Sequence, residues 1–97
     1  MKVEYSNRAV ADLRKVSADS RAMFGDAVAL VLESRIQDAV AHIAENPEAA
    51  PRVTERDEVR MFPLTRYPYK LFYRVLVDRV RILPIRHTSR RPWIGSR

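Results

Sequence analysis

The sequence contains no cysteine, so disulfides, thiolate metal sites and cysteine nucleophiles are excluded. No apolar run approaches the ~20 residues that a membrane-spanning helix needs, and no apolar stretch follows Met1-Lys2-Val3-Glu4 to make a secretory signal. A cytoplasmic location is the resulting expectation. The two histidines, His42 and His87, have no carboxylates at ligand spacing, so neither a metal nor another cofactor is expected. Repeats and low-complexity segments are missing as well. What remains is a 97-residue chain, 46% hydrophobic and 31% charged, which suits one globular domain spanning residues 1–97.

Acidic residues are scarce in one part of the chain only. Residues 1–57 carry eight Lys/Arg and ten Asp/Glu, a balance of −2. Residues 58–97 carry ten Lys/Arg against Glu58 and Asp78, a balance of +8, and nine of those ten cations are arginine. Charge so one-sided points to a polyanionic partner, because a merely solvated surface mixes both signs.

Local patterns set out the elements in order. Val3 and Tyr5 alternate with Lys2 and Glu4, as in a short strand with one buried face. Ser6 suits the N-cap of a helix in which Ala9, Val10, Leu13, Val16, Ser20, Met23 and Phe24 recur at helical spacing. Ser17 and Asp19 weaken its middle and predict irregularity or a break there. Gly25 fits the left-handed residue that closes this helix, and Asp26 the cap of the next. The second helix runs from about Asp26 to Glu45, with Ala29, Leu32, Ile36, Ala39, Val40 and Ile43 inward, and Asn46-Pro47 ends it. So short a connection makes the two helices an antiparallel hairpin.

Pro47 to Asp57 reads as a loop, and Glu58 to Leu64 as a strand that Arg66-Tyr67-Pro68 interrupts. Two further strands follow, about Tyr69–Val77 and Val80–Arg86, joined by a turn at Val77-Asp78-Arg79-Val80. Leu71, Tyr73, Val75 and Val77 share one face of the first; in the second, Val80, Ile82 and Pro84 oppose Arg81, Leu83 and Ile85. Arg74, set among apolar neighbours, is expected to pair with Asp78 or an acidic helix residue. The order β-α-α-β-β-β defines an α+β fold: an N-terminal strand, then an αα-hairpin packed on one face of a small, mainly antiparallel sheet.

Several residues in this order are also those of a known family. Arg60 with Pro63-Leu64, Tyr67-Pro68-Tyr69, Phe72-Tyr73-Arg74-Val75, Val80-Arg81-Ile82-Leu83, Ile85-Arg86-His87 and Arg90-Arg91-Pro92 together resemble the RelE/ParE superfamily. These are the small toxins of bacterial type II toxin–antitoxin (plasmid stabilisation) modules. The resemblance spans essentially the whole chain and is most specific in its C-terminal third. It implies a growth-inhibiting toxin neutralised by a cognate antitoxin, and oligomerisation by way of that complex. It implies one of two targets: DNA gyrase, which ParE-like members poison without cutting anything themselves, or the 70S ribosome, where RelE-like members cleave mRNA.

Cleavage of RNA through its 2′-OH requires a base, an acid and cations around one phosphate. His87 could be the acid or base, and Arg60, Arg66, Arg86 and Arg90 could clamp the phosphate. Tyr67, Tyr69 or Trp93 could stack a base. Against this, the segment before the central strands carries Glu55, Asp57 and Glu58 where RelE-like nucleases are lysine-rich, and Lys70 is the only lysine after residue 15. Carboxylates there would be repelled by ribosomal RNA. The sequence therefore leans to a ParE-like gyrase poison, with a ribosome-dependent endonuclease as the alternative. The residues expected to face the target are Arg60, Arg66, Tyr67, Arg86, His87, Arg90, Arg91 and Trp93.

Overall fold

A computed structural model of the chain describes residues 1–53, 58–64 and 66–88. The elements are β1 (Lys2–Tyr5), α1 (Asn7–Phe24), α2 (Asp26–Glu45), β2 (Val59–Pro63), β3 (Tyr69–Val75) and β4 (Arg79–His87). The strands form one sheet in the order β1-β4-β3-β2. β2, β3 and β4 are antiparallel neighbours, whereas β1 lies parallel to β4, with Val3 opposite Val80 and Tyr5 opposite Ile82. Parallel partners need a long crossover, and the two helices are part of it.

Ser6 caps α1 as its position predicts, accepting the Ala9 N–H at 3.0 Å. The helix continues through Ser17 and Asp19 without a break. Its weak positions have partners elsewhere: Ser17 donates to Glu33 of α2, and Asp19 pairs with Lys15 at 3.1 Å. Tertiary contact here overrides propensity. Gly25 has φ +90°, a conformation other residues rarely adopt, so the two helices join with a single residue between them. Gly25 itself is the N-cap of α2; the Asp26 carboxylate lies in the first turn and accepts instead from Arg21 at 2.8 Å.

The stripe Ala29, Leu32, Ile36, Ala39, Val40 and Ile43 of α2 is buried throughout. From Leu32 onward, with Ala9 and Val16, it packs on Leu71, Tyr73, Val80, Ile82 and Ile85 of the central strands. Tyr73 is fully buried, and its hydroxyl donates to the Pro47 carbonyl at 2.8 Å. That bond satisfies the one polar atom the ring brings into the core and ties the start of the 47–53 loop to the sheet.

Three details of the strands depart from the alternation. The hairpin closes with Leu76 N–H on the Arg79 carbonyl at 2.7 Å, so Val77 lies in the turn and is completely exposed. The register shifts between Leu71 and Tyr73: Leu71 faces Ile85 but Tyr73 faces Ile82, leaving one extra residue on β4 around Leu83-Pro84. The shift turns Ile85 onto the helix side with Val80 and Ile82, the face opposite to strict alternation. Finally, Arg74 does not reach Asp78, which pairs with Arg79 at 2.8 Å; Arg74 stands directly opposite Arg81.

Candidate functional site

The bulge in β4 is where the site begins. Proline has no N–H to give a ladder, which makes Leu83-Pro84 a natural place for an extra residue. Beyond it, the Ile85 N–H goes to Asp12 Oδ2 of α1 at 3.0 Å. Asp12 also accepts from Arg8 Nε at 3.4 Å. One carboxylate thus joins α1 to the strand where its ladder is disturbed.

After the bulge, His87 pairs with Tyr69 across the ladder, on the helix side of the sheet. Their rings meet edge to face, with centroids 5.2 Å apart at 82°. The β2–β3 connection is held close to this pair. Tyr69 N–H bonds the Tyr67 carbonyl at 2.8 Å across Pro68, Leu64 N–H bonds the Tyr69 carbonyl at 2.9 Å, and Thr88 N–H bonds the Pro68 carbonyl at 2.7 Å. Arg66, which opens this turn, is exposed and has φ +73°, rare for a side chain of its size.

Two depressions meet at His87. One is charged, with Arg8, Asp12, Lys15 and Asp19 on its α1 wall. The other is mainly apolar, formed by Met23, Phe24, Val28 and Leu32 of the helical hairpin facing Tyr67, Pro68 and Tyr69. Met23 and Phe24 leave 73% and 64% of their surface in solvent. Exposed apolar side chains grouped beside a groove are the usual mark of a protein-binding surface.

The residues singled out from sequence separate into groups. His87, Tyr67 and Tyr69 come together at this rim. Arg86 is the next residue, but the register pairs it with Lys70 and so places it on the sheet face away from the helices. Arg66 lines a separate cleft with Arg35, Asp38 and His42 of α2. Arg60 donates to the carbonyls of Glu48 and Ala50 at 3.0 and 2.6 Å, locking the 47–53 loop against β2. Arg60 is paired with Tyr73, so it stands about 13 Å along β3 from the Tyr69–His87 pair. Arg90, Arg91 and Trp93 lie outside the described residues. Asp12 is the functional neighbour that sequence reasoning missed, although its spacing signalled it: it falls between Ala9 and Val16 on the inward stripe of α1, where a carboxylate requires a buried partner.

Among the described residues, no three His, Asp or Glu side chains gather to hold a metal ion. Nor is any helix there long and apolar enough to cross a membrane.

The chain is thus an α+β protein, an αα-hairpin on one face of a four-stranded mixed sheet, with an aromatic–histidine rim where β3 begins and β4 ends. Residues 3–92 match the family described as ParE toxin of type II toxin-antitoxin system, parDE, and the chain belongs to that family. Among solved structures it is similar to a chain of the chromosomal ParDE TA system from P. aeruginosa, at 26% identity and a TM-score of 0.79, covering 90% of this chain and 95% of that one. No curated protein sequence matches it.

Proposed function

We propose that this toxin arrests growth by poisoning DNA gyrase in the cytoplasm and is neutralised by a cognate antitoxin. Membership of the ParE family carries the reading. The arrangement of the arginines supports it. An endonuclease needs several cations around the phosphate its histidine works on, yet Arg60 is engaged by loop carbonyls and Arg66 lies beside α2. Among the described residues, the cations lining the depression at His87 are Arg8, Lys15 and Arg86; Arg8 and Lys15 each already face an aspartate of α1, and Arg86 is paired with Lys70 across the ladder. The target-facing set is then His87, Tyr67, Arg86 and Arg66, with Arg90, Arg91 and Trp93 following in the chain.

Neutralisation follows from the apolar groove. An antitoxin segment seated against Met23, Phe24 and Val28 would also lie on Tyr69 and His87, which line the same depression. Covering the groove and covering the rim would be one event, and the assembly formed is the toxin–antitoxin oligomer.

The deciding experiment incubates the purified toxin with gyrase and supercoiled plasmid and assays for stabilised cleavage complexes. Programmed 70S ribosomes with the same toxin are assayed in parallel for cut mRNA ends. Gyrase-dependent linear plasmid with intact mRNA is the expected result. Codon-positioned cuts without any effect on gyrase would replace this reading with the endonuclease.

A further inference from the structure

The sheet has a second face, away from the helices, and its charge is not accounted for by the fold. Residues directly opposite each other on paired strands share a face. Arg74 is opposite Arg81, Lys70 is opposite Arg86, and Lys2 is opposite Arg79. Glu4, beside Arg81, is the one acidic side chain within these ladders, and Arg79 and Arg81 already bond it at 3.0 and 2.7 Å. The bulge is what completes the set: it puts Arg86 on the same face as Arg81, five residues earlier, where strict alternation would turn it toward the helices.

Like charges directly across a ladder are destabilising, and this face contains three such pairs. It also leaves Arg74 Nε and Arg86 Nε buried without a hydrogen-bond partner, which costs stability again. Local choices that oppose folding gather where a ligand is to be bound. Lys70, Arg74, Arg81 and Arg86 all retain part of their surface in solvent, while Phe72 between them is buried at 5% exposure. Among the described residues the face therefore offers charge without an open aromatic platform for stacking unpaired bases, and that favours a duplex backbone over a single strand. The Arg74–Arg81 and Lys70–Arg86 pairs are about 13 Å apart along β3. The major groove of B-form DNA is ~12 Å wide, so the two pairs match the phosphate rows on either side of it.

We propose that this face binds the phosphate backbone of duplex DNA, with Lys70, Arg74, Arg81 and Arg86 as the contacting cations. On a gyrase poison such a contact would hold the DNA segment that gyrase has cut.

The test is fluorescence anisotropy of a short labelled duplex titrated with the full-length toxin at several salt concentrations, without gyrase. Failure of the DNA contact and failure of gyrase poisoning are then separately visible. Arg74→Gln and Arg86→Gln should each weaken binding and reduce the slope of log K against log salt by about 0.9. Thermal unfolding of both variants should be unchanged or shifted upward, because each relieves a like-charge pair. Arg35→Gln, on the exposed side of α2, should leave the slope as it was. Unaltered slopes in the first two variants would overturn the proposal. So would tighter binding of single-stranded RNA, or equal and equally Arg74-dependent binding of a poly-glutamate peptide.

Discussion

The carboxylate of Asp12 accepts the backbone N–H of Ile85 at 3.0 Å, and both faces of the sheet end depend on that bond. It stabilises the strand just past the bulge, which turns His87 toward Tyr69 on one side and Arg86 toward Lys70 on the other. Asp12→Ala would leave the Ile85 N–H without its acceptor, at a cost of about 1–3 kcal/mol. Urea unfolding should show that loss, with a smaller one for Asp12→Asn, whose amide oxygen can still accept. Toxicity of Asp12→Ala should fall by more than the unfolded fraction explains, because the rim itself is displaced. A growth assay at matched levels of folded protein would reveal this.

Arg60 and His87 should behave as opposites. Arg60 holds two loop carbonyls, so Arg60→Ala should destabilise by about 1–3 kcal/mol. Its toxicity should fall only in step with folding. His87→Ala, and likewise Arg86→Ala, should unfold close to wild type yet lose toxicity while still binding antitoxin. Melting curves beside growth curves separate the two classes. A His87→Ala protein as toxic as wild type would remove the rim from the target surface.

The fold was legible because its signals are local. Ser6, the α2 stripe and the Asn46-Pro47 stop each announce themselves within a few residues, and the structure has each of them in place. The site was less legible because a single bulge reverses the side-chain parity of everything after it. Alternation counted through Pro84 puts Ile85 on the wrong face, and Arg86 and His87 go with it. Arg74 illustrates the other limit. Charge complementarity leads one to expect an acidic partner, whereas the register supplies Arg81, and a conflict of that kind is visible only once the strands are paired. The spacing of Asp12 called for a partner but could not name it, since that partner is a main-chain N–H more than seventy residues away, on β4 beyond the end of its pairing with β1.

Gly25 is the narrowest point of the helical hairpin. At φ +90°, with nothing within 4 Å of where a Cβ would stand, substitution meets backbone strain and no clash. Gly25→Ala should therefore cost about 1–2 kcal/mol and lower the melting temperature with little change in toxicity per folded molecule. A similar loss should follow any other L-residue there, asparagine included, because φ +90° with ψ 174° lies outside the left-handed helical region that asparagine tolerates. Losses that grew with side-chain volume would instead reveal a steric limit.

Glu4 gives the fold a pH dependence of definite sign. Hydrogen bonds from Arg81 and then Arg79 hold its carboxyl below the ordinary value of 4.5. The unfolded chain therefore takes up this proton at a higher pH than the folded one does. The stabilisation is present in full above pH 4.5 and is lost as pH falls through the lower, folded value. Because the group is exposed, the effect should be modest and should shrink further at 1 M salt, where the Debye length is ~3 Å. Glu4→Gln should flatten the acid limb of the stability curve and leave the neutral and alkaline region nearly parallel to wild type. It also withdraws the carboxylate that Arg79 and Arg81 share on the outer face. In duplex titrations at pH 7 the same variant should therefore bind more tightly, so stability and DNA affinity should move in opposite directions. If both fell together, Glu4 would be supporting the geometry of the cations rather than opposing their charge.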